Sequence, residues 1–139
     1  MKPFRTAMVL GGCMVLAACG TSKKELLATS QSQLQLRSIQ SRAFDTTDRE
    51  FTLRTVIATM QDLGFVIDDA NSTLGSVSGT KLDNFRLRMS VTVRPRGTTQ
   101  LLVRAGMQFN QRHVDDPEPY QQFFVALGRA MFIEAQHVE

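Results

Sequence analysis

Phe85, Leu87, Met89, Val91 and Val93 alternate with Arg86, Arg88, Ser90, Thr92 and Arg94. After Arg96-Gly97-Thr98-Thr99 the pattern returns as Leu101, Val103, Ala105, Met107 and Phe109 set against Leu102, Arg104, Gly106, Gln108 and Asn110. Successive side chains of a strand point to opposite faces, so these segments predict a long hairpin with one apolar and one polar face. Gly97 supplies the turn. A sheet built on such a hairpin needs a cover on one side only, and the rest of the chain must provide it.

Two helical segments are available as that cover. Thr47-Asp48-Arg49-Glu50 has the form of a capping box, with the Thr47 hydroxyl and the Glu50 carboxylate serving free amides at a helix start. Phe51, Leu53, Val56, Ile57, Met60 and Leu63 then recur at helical spacing, and Gly64 stands where a left-handed cap ends a helix. Farther on, Asp116-Pro117 starts a second helix, since Asp caps the amides and proline lacks only an N–H that would go unused. Its apolar stripe is Tyr120, Phe123, Phe124, Leu127, Ala130 and Met131, widened by Phe132 and Ile133. An aromatic stripe of this kind predicts core.

The remaining apolar segments read as strands. Leu34 to Phe44 is β-leaning, with a slip in its alternation near Ser38 and Ile39 that suggests a bulge or an edge strand. Phe65 to Asp68 is short, and Leu74 to Lys81 carries small residues that suit a flat or bulged strand. Asp68 and Asp69 read as the end of a strand entering a turn. The expected fold is α+β: a two-layer sandwich of order β-α-β-β-β-β-α, with a mostly antiparallel sheet and two helices on one face. Residues 34–139 form the single domain.

The N-terminus carries a different kind of signal. Lys2 and Arg5 precede an apolar, small-residue run from Thr6 to Ala18, too short to span a bilayer as a helix, which ends in Leu16-Ala17-Ala18-Cys19-Gly20. This resembles the lipobox of bacterial lipoproteins, in which the thiol of the cysteine is lipidated, the peptide is cut before it and the new amino group is acylated. The resemblance implies a signal peptide over residues 1–18, a lipid on Cys19 and a membrane anchor, since two or more acyl chains hold a protein stably where one does not. In Gram-negative lipoproteins an Asp after that cysteine commonly retains the protein in the inner membrane. Gly20 at that position implies the outer membrane, facing the periplasm, with the inner membrane as the alternative. Residues 19–33, rich in Thr, Ser, Lys and Gln, then read as a lipidated end and tether; about thirteen flexible residues span roughly 20 Å.

Charge and chemistry narrow the function further. Sixteen Lys and Arg oppose thirteen Asp and Glu, and loss of Lys2 and Arg5 with the signal leaves the mature chain near neutral. Bulk charge therefore gives no support to nucleic-acid binding. Cys13 leaves with the signal and Cys19 carries the lipid, so no thiol remains for a disulfide or a nucleophile. His113 and His137 stand outside any metalloprotease or triad pattern. Asp115, Asp116 and Glu118 lie near His113, but Asp116 has a capping role and two prolines constrain the loop. Gly75, Gly79 and Gly97 fit no phosphate-binding loop and read as turn or bulge residues. The expectation is a non-enzyme with no metal and no cofactor.

What stands out is a set of arginines. Arg86, Arg88, Arg94 and Arg104 fall on the polar positions of the hairpin, close enough across the ladder to repel unless solvent or an acidic partner intervenes. They form a candidate docking face.

The element order is similar to that of TATA-binding-protein-like and helix-grip domains, including those of the BamC (NlpB) type of outer-membrane lipoprotein, on topology and the stretch Leu53 to Asp68. Separately, Phe44-Asp45-Thr46, Leu53-Arg54, Gln61 to Asp68 and Leu74-Gly75 look like the core pattern of small bacterial lipoproteins. The second resemblance covers most of residues 37–133 and brings no established activity with it; with the lipobox and the first resemblance, the expectation is an envelope interaction or assembly accessory with an envelope protein as partner. The alternative is a carrier of a small amphipathic or lipid ligand, which requires a cavity lined by Phe85, Met89, Met107 and Phe124.

Overall fold

The computed structural model describes residues 32–83 and 85–136. The candidate signal segment, Cys19, the tether through residue 31, and His137 lie outside the described residues. A helix, α1, covers residues 32–39. After it come β1 (Ser41–Phe44), α2 (Arg49–Asp62), β2 (Val66–Asn71), β3 (Ser76–Asp83), β4 (Phe85–Arg96), β5 (Gln100–Phe109), β6 (Arg112–His113) and α3 (Pro117–Gln136). The strands form one antiparallel sheet in the order β1-β5-β4-β3-β2, with β6 also beside β5. Helices α2 and α3 touch each other and bury their apolar sides on one face of it. The fold is the expected two-layer α+β sandwich, with one more helix and one more short strand.

The hairpin sets the core. Val91 pairs with Ala105 and Val93 with Val103, and these residues, with Val77, Met89, Leu101 and Met107, are buried against the helices. Leu53, Val56 and Met60 meet them from α2, and Tyr120, Phe123, Phe124, Leu127 and Met131 from α3. The Phe123 and Phe124 rings pack edge to face with centroids 5.1 Å apart. The Arg42 guanidinium caps the Phe124 ring at 5.1 Å from its centroid.

Several local expectations change. Leu34 to Phe44 is a strand only over Ser41–Phe44; the slip at Ser38 and Ile39 marks a helix running into a strand, not a bulge. Leu36 and Ile39 are half-buried at helical spacing while Leu34 is exposed, and Gln35, Leu36 and Arg37 are good helix formers. Residues 32 and 33, expected to belong to the tether, lie in the first turn of α1.

The cap of α2 is Asp48 rather than Thr47: its carboxylate accepts the Phe51 N–H at 2.9 Å. An ionised oxygen is the stronger acceptor and also favours the positive end of the helix. Three threonines, Thr52, Thr55 and Thr59, share the buried side of α2. Each hydroxyl donates to the carbonyl four residues back, at 2.8–2.9 Å, so it enters the core with its hydrogen bond made. Phe132, expected to widen the stripe of α3, faces solvent. Asp68 and Asp69 do not end β2, which continues through an irregularity to Asn71.

Candidate docking surface

The face of the sheet away from α2 and α3 is built by the other half of the alternation. Arg86, Arg88, Ser90, Thr92 and Arg94 of β4 lie there, with Leu102, Arg104, Gly106 and Gln108 of β5 and Ser76, Ser78, Thr80 and Leu82 of β3. All four arginines of the expected docking face are exposed. The register separates them. Arg88 stands opposite Gln108 and Thr80, Arg104 opposite Thr92 and Ser41, and Arg94 opposite Leu102. Among the described residues no arginine faces another directly across a strand, so the positive charge is spread over a floor of small polar residues, which removes the close repulsion expected between neighbours.

Helix α1 turns part of this face into a groove. Gln33, Leu36, Arg37 and Gln40 form one wall, and Ser90, Thr92, Arg104, Gly106 and His113 form the floor and the other side, enclosing about 560 Å³. A second hollow of about 310 Å³ continues it past Ser90, Gly106 and His113 to Arg88 and Gln108. Among the described residues no carboxylate lines either hollow, whereas Arg37, Arg88, Arg104 and His113 do. Arg37 was not among the residues singled out by sequence, because its segment reads as a strand until α1 is known. The i, i+3 spacing of Leu36 and Ile39 is the signal that could have found it.

Toward the opposite edge, Val66, Asp68, Thr80, Leu82, Arg86 and Arg88 surround a third hollow of about 440 Å³. Asp68 is engaged there, accepting the Thr80 hydroxyl at 2.6 Å. Among the described residues the one ion pair is Arg54 with Glu50 on α2, at 3.4 Å and exposed at both ends. Such a pair contributes little.

Among the described residues the helix side is tightly filled. Met89, Met107 and Phe124 are each 1% exposed, and the hollow beside Met89 and Met107 holds about 100 Å³ between Leu63, Phe65, Lys81, Leu87, Pro119 and Gln122. Pockets for small ligands run to about 300–1,000 Å³. Phe85, expected to line a cavity with them, lies beyond the helices and is 55% exposed. Asp116 accepts the Glu118 N–H at 3.0 Å, as a cap for α3. Among the described residues no three His, Cys, Asp or Glu side chains gather as a metal site.

No protein-family model and no curated protein sequence matches the chain. Among the described residues no helix is long and apolar enough to cross a membrane.

Proposed function

We propose that the chain is a lipid-anchored, non-enzymatic docking module of the bacterial envelope. Cys19 carries the anchor, the outer membrane is its site, and the open sheet face takes an acidic surface of an envelope protein. The observation that carries this reading is the exposed side chains of that face: Arg88, Arg94 and Arg104 stand exposed on a floor of Ser and Thr, and Arg37 adds to them from α1. Charge of one sign on a shaped surface steers an oppositely charged partner and suppresses like-charged ones. The filled core supports docking over carriage of an amphipathic ligand, because a hollow of about 100 Å³ is smaller than such a ligand needs.

A photo-activated cross-linker in place of Ser90, in the full chain in its own membrane, tests this. Ser90 lies on the groove floor and is exposed, so the probe need not disturb the core. The expected product is an adduct with an acidic envelope protein whose yield falls when irradiation is done at higher salt, since screening acts within about 8 Å at physiological ionic strength. The same probe at Arg54, on the far layer, should capture nothing in common. Identical adducts from Ser90 and Arg54 would contradict the proposal.

A further inference from the structure

Two turns meet at one end of the sheet, and together they leave large apolar side chains uncovered. Leu82 and Phe85 flank the β3–β4 turn and are 79% and 55% exposed; Phe109, at the end of β5, is 39% exposed. The Phe85 and Phe109 rings touch, with centroids 5.0 Å apart. The two rings form an exposed apolar pair on the helix side of the sheet, and Leu82 projects from the same turn on the opposite face beside Arg86. Large apolar side chains exposed at one end on both faces mark a surface that is used.

The end is also held in shape. Asn110 and Gln111 both have positive φ, 46° and 74°, which fits the tight two-residue link between β5 and β6. Neither is glycine, and Gln111 in particular is strained there. Asn110 is strapped to β4 by two hydrogen bonds: its N–H donates to the Arg86 carbonyl at 3.0 Å, and its side-chain oxygen accepts the Arg86 N–H at 3.3 Å. This strap keeps Phe109 beside Phe85. Arg86 and Arg112 flank the apolar tip and are exposed. By sequence the two turns carry these arginines against the single acid Asp83.

We propose that this tip, Leu82, Phe85 and Phe109 with Arg86 and Arg112, is a membrane-contact surface that seats in the headgroup region of a bilayer containing anionic lipid. Apolar side chains enter the boundary between headgroups and acyl chains while the guanidiniums meet the phosphates, the combination that holds interfacial segments to anionic membranes. The contact depends neither on the lipid at Cys19 nor on an acidic partner at the groove.

A chain beginning at Gly20 removes Cys19 and the signal segment while retaining every described element. The chain has no tryptophan, so Phe85→Trp introduces a single reporter at the tip, and Phe132→Trp introduces one at an exposed site on α3. With vesicles of phosphatidylcholine containing about a third phosphatidylglycerol, Phe85→Trp emission should shift to the blue and Phe132→Trp emission should not. Co-sedimentation with those vesicles should exceed that with phosphatidylcholine alone by at least tenfold in partition coefficient, and Leu82→Ser with Phe85→Ser should lower it at least tenfold. The double variant keeps Lys23 and Lys24, so basic residues upstream cannot account for the loss. Circular dichroism of each variant confirms the fold before binding is read. Unchanged partition of the folded double variant, no binding by the wild type, or a blue shift at Phe132 but not Phe85 would overturn the proposal. So would a wild-type dimer that the double variant abolishes while vesicle binding stays the same, because the tip would then belong to a second copy.

Discussion

The Tyr120 hydroxyl accepts the backbone N–H of Met107 at 3.1 Å. A side chain of α3 thereby closes a gap in the sheet. β1 pairs with β5 from Leu101 to Arg104, and β6 pairs with it at Gln108 and Phe109. Between them Ala105 donates to the Gln40 carbonyl at 2.8 Å, and the Met107 carbonyl accepts the Val114 N–H at 3.0 Å. Tyr120 supplies the missing acceptor, donates in turn to the Val114 carbonyl at 2.8 Å and receives the Gln40 amide at 3.2 Å. An open edge is a template for pairing with another chain, and this one is closed by one phenol and two short strands.

Tyr120→Phe keeps the ring and strands the Met107 N–H without an acceptor. A buried donor left unpaired costs about 1–3 kcal/mol, so the urea midpoint should fall and exchange of the Met107 amide should accelerate. A variant with the wild-type midpoint and wild-type exchange at Met107 would show that the hydroxyl is dispensable.

Phe124→Ala removes a ring that is 1% exposed between Phe123, the sheet and the Arg42 guanidinium. The lost transfer energy and the residual cavity should destabilise the domain by about 3–5 kcal/mol, most of the margin of a small domain. Chemical denaturation reads this directly, and an unchanged midpoint would place the stripe of α3 outside the core.

Two turn glycines should separate. Gly75 has φ +68°, and a Cβ there would lie 2.6 Å from the Val93 carbonyl oxygen; Gly97 has φ +63° with nothing within 4 Å. Gly97→Ala meets only the backbone penalty of the left-handed region, about 1–2 kcal/mol. Gly75→Ala adds a clash with a strand carbonyl, so its midpoint should fall well below that of Gly97→Ala. Equal losses would mean that the β2–β3 turn can shift away from β4.

The legible parts of the fold were those where periodicity and burial agree. β4 and β5 alternate so cleanly that their pairing, their buried face and the placement of Arg86, Arg88, Arg94 and Arg104 all follow from the sequence. Gly64, at φ +89°, ends α2 where the pattern placed it. The failures share a cause: a short segment whose polar residues satisfy themselves. Thr52, Thr55 and Thr59 look like surface until their hydroxyls are seen bonded to their own helix. α1 reads as a strand because Leu34 and Leu36 alternate by chance, and this hid Arg37 and the groove wall. Phe85 continues a buried pattern past the end of the helices that would cover it, which periodicity alone does not register.

Cys19→Ser should leave an uncut, unlipidated precursor, because serine forms no thioether and cleavage follows lipidation in the lipoproteins this N-terminus resembles. Incorporation of a labelled fatty acid measures it. Equal label in wild type and variant would remove the anchor from the proposed function.

Replacing Arg88, Arg94 and Arg104 with Gln tests the docking face most directly. All three are exposed and stand opposite uncharged residues, so the thermal midpoint should stay close to wild type. With the cross-linker at Ser90 in the anchored chain, capture of the acidic partner should fall severalfold at low salt, and the remaining capture should lose most of its salt sensitivity. A correctly folded triple variant that captures the same partner at wild-type yield, at low and high salt alike, would contradict the account and leave the arginines as a solvated surface.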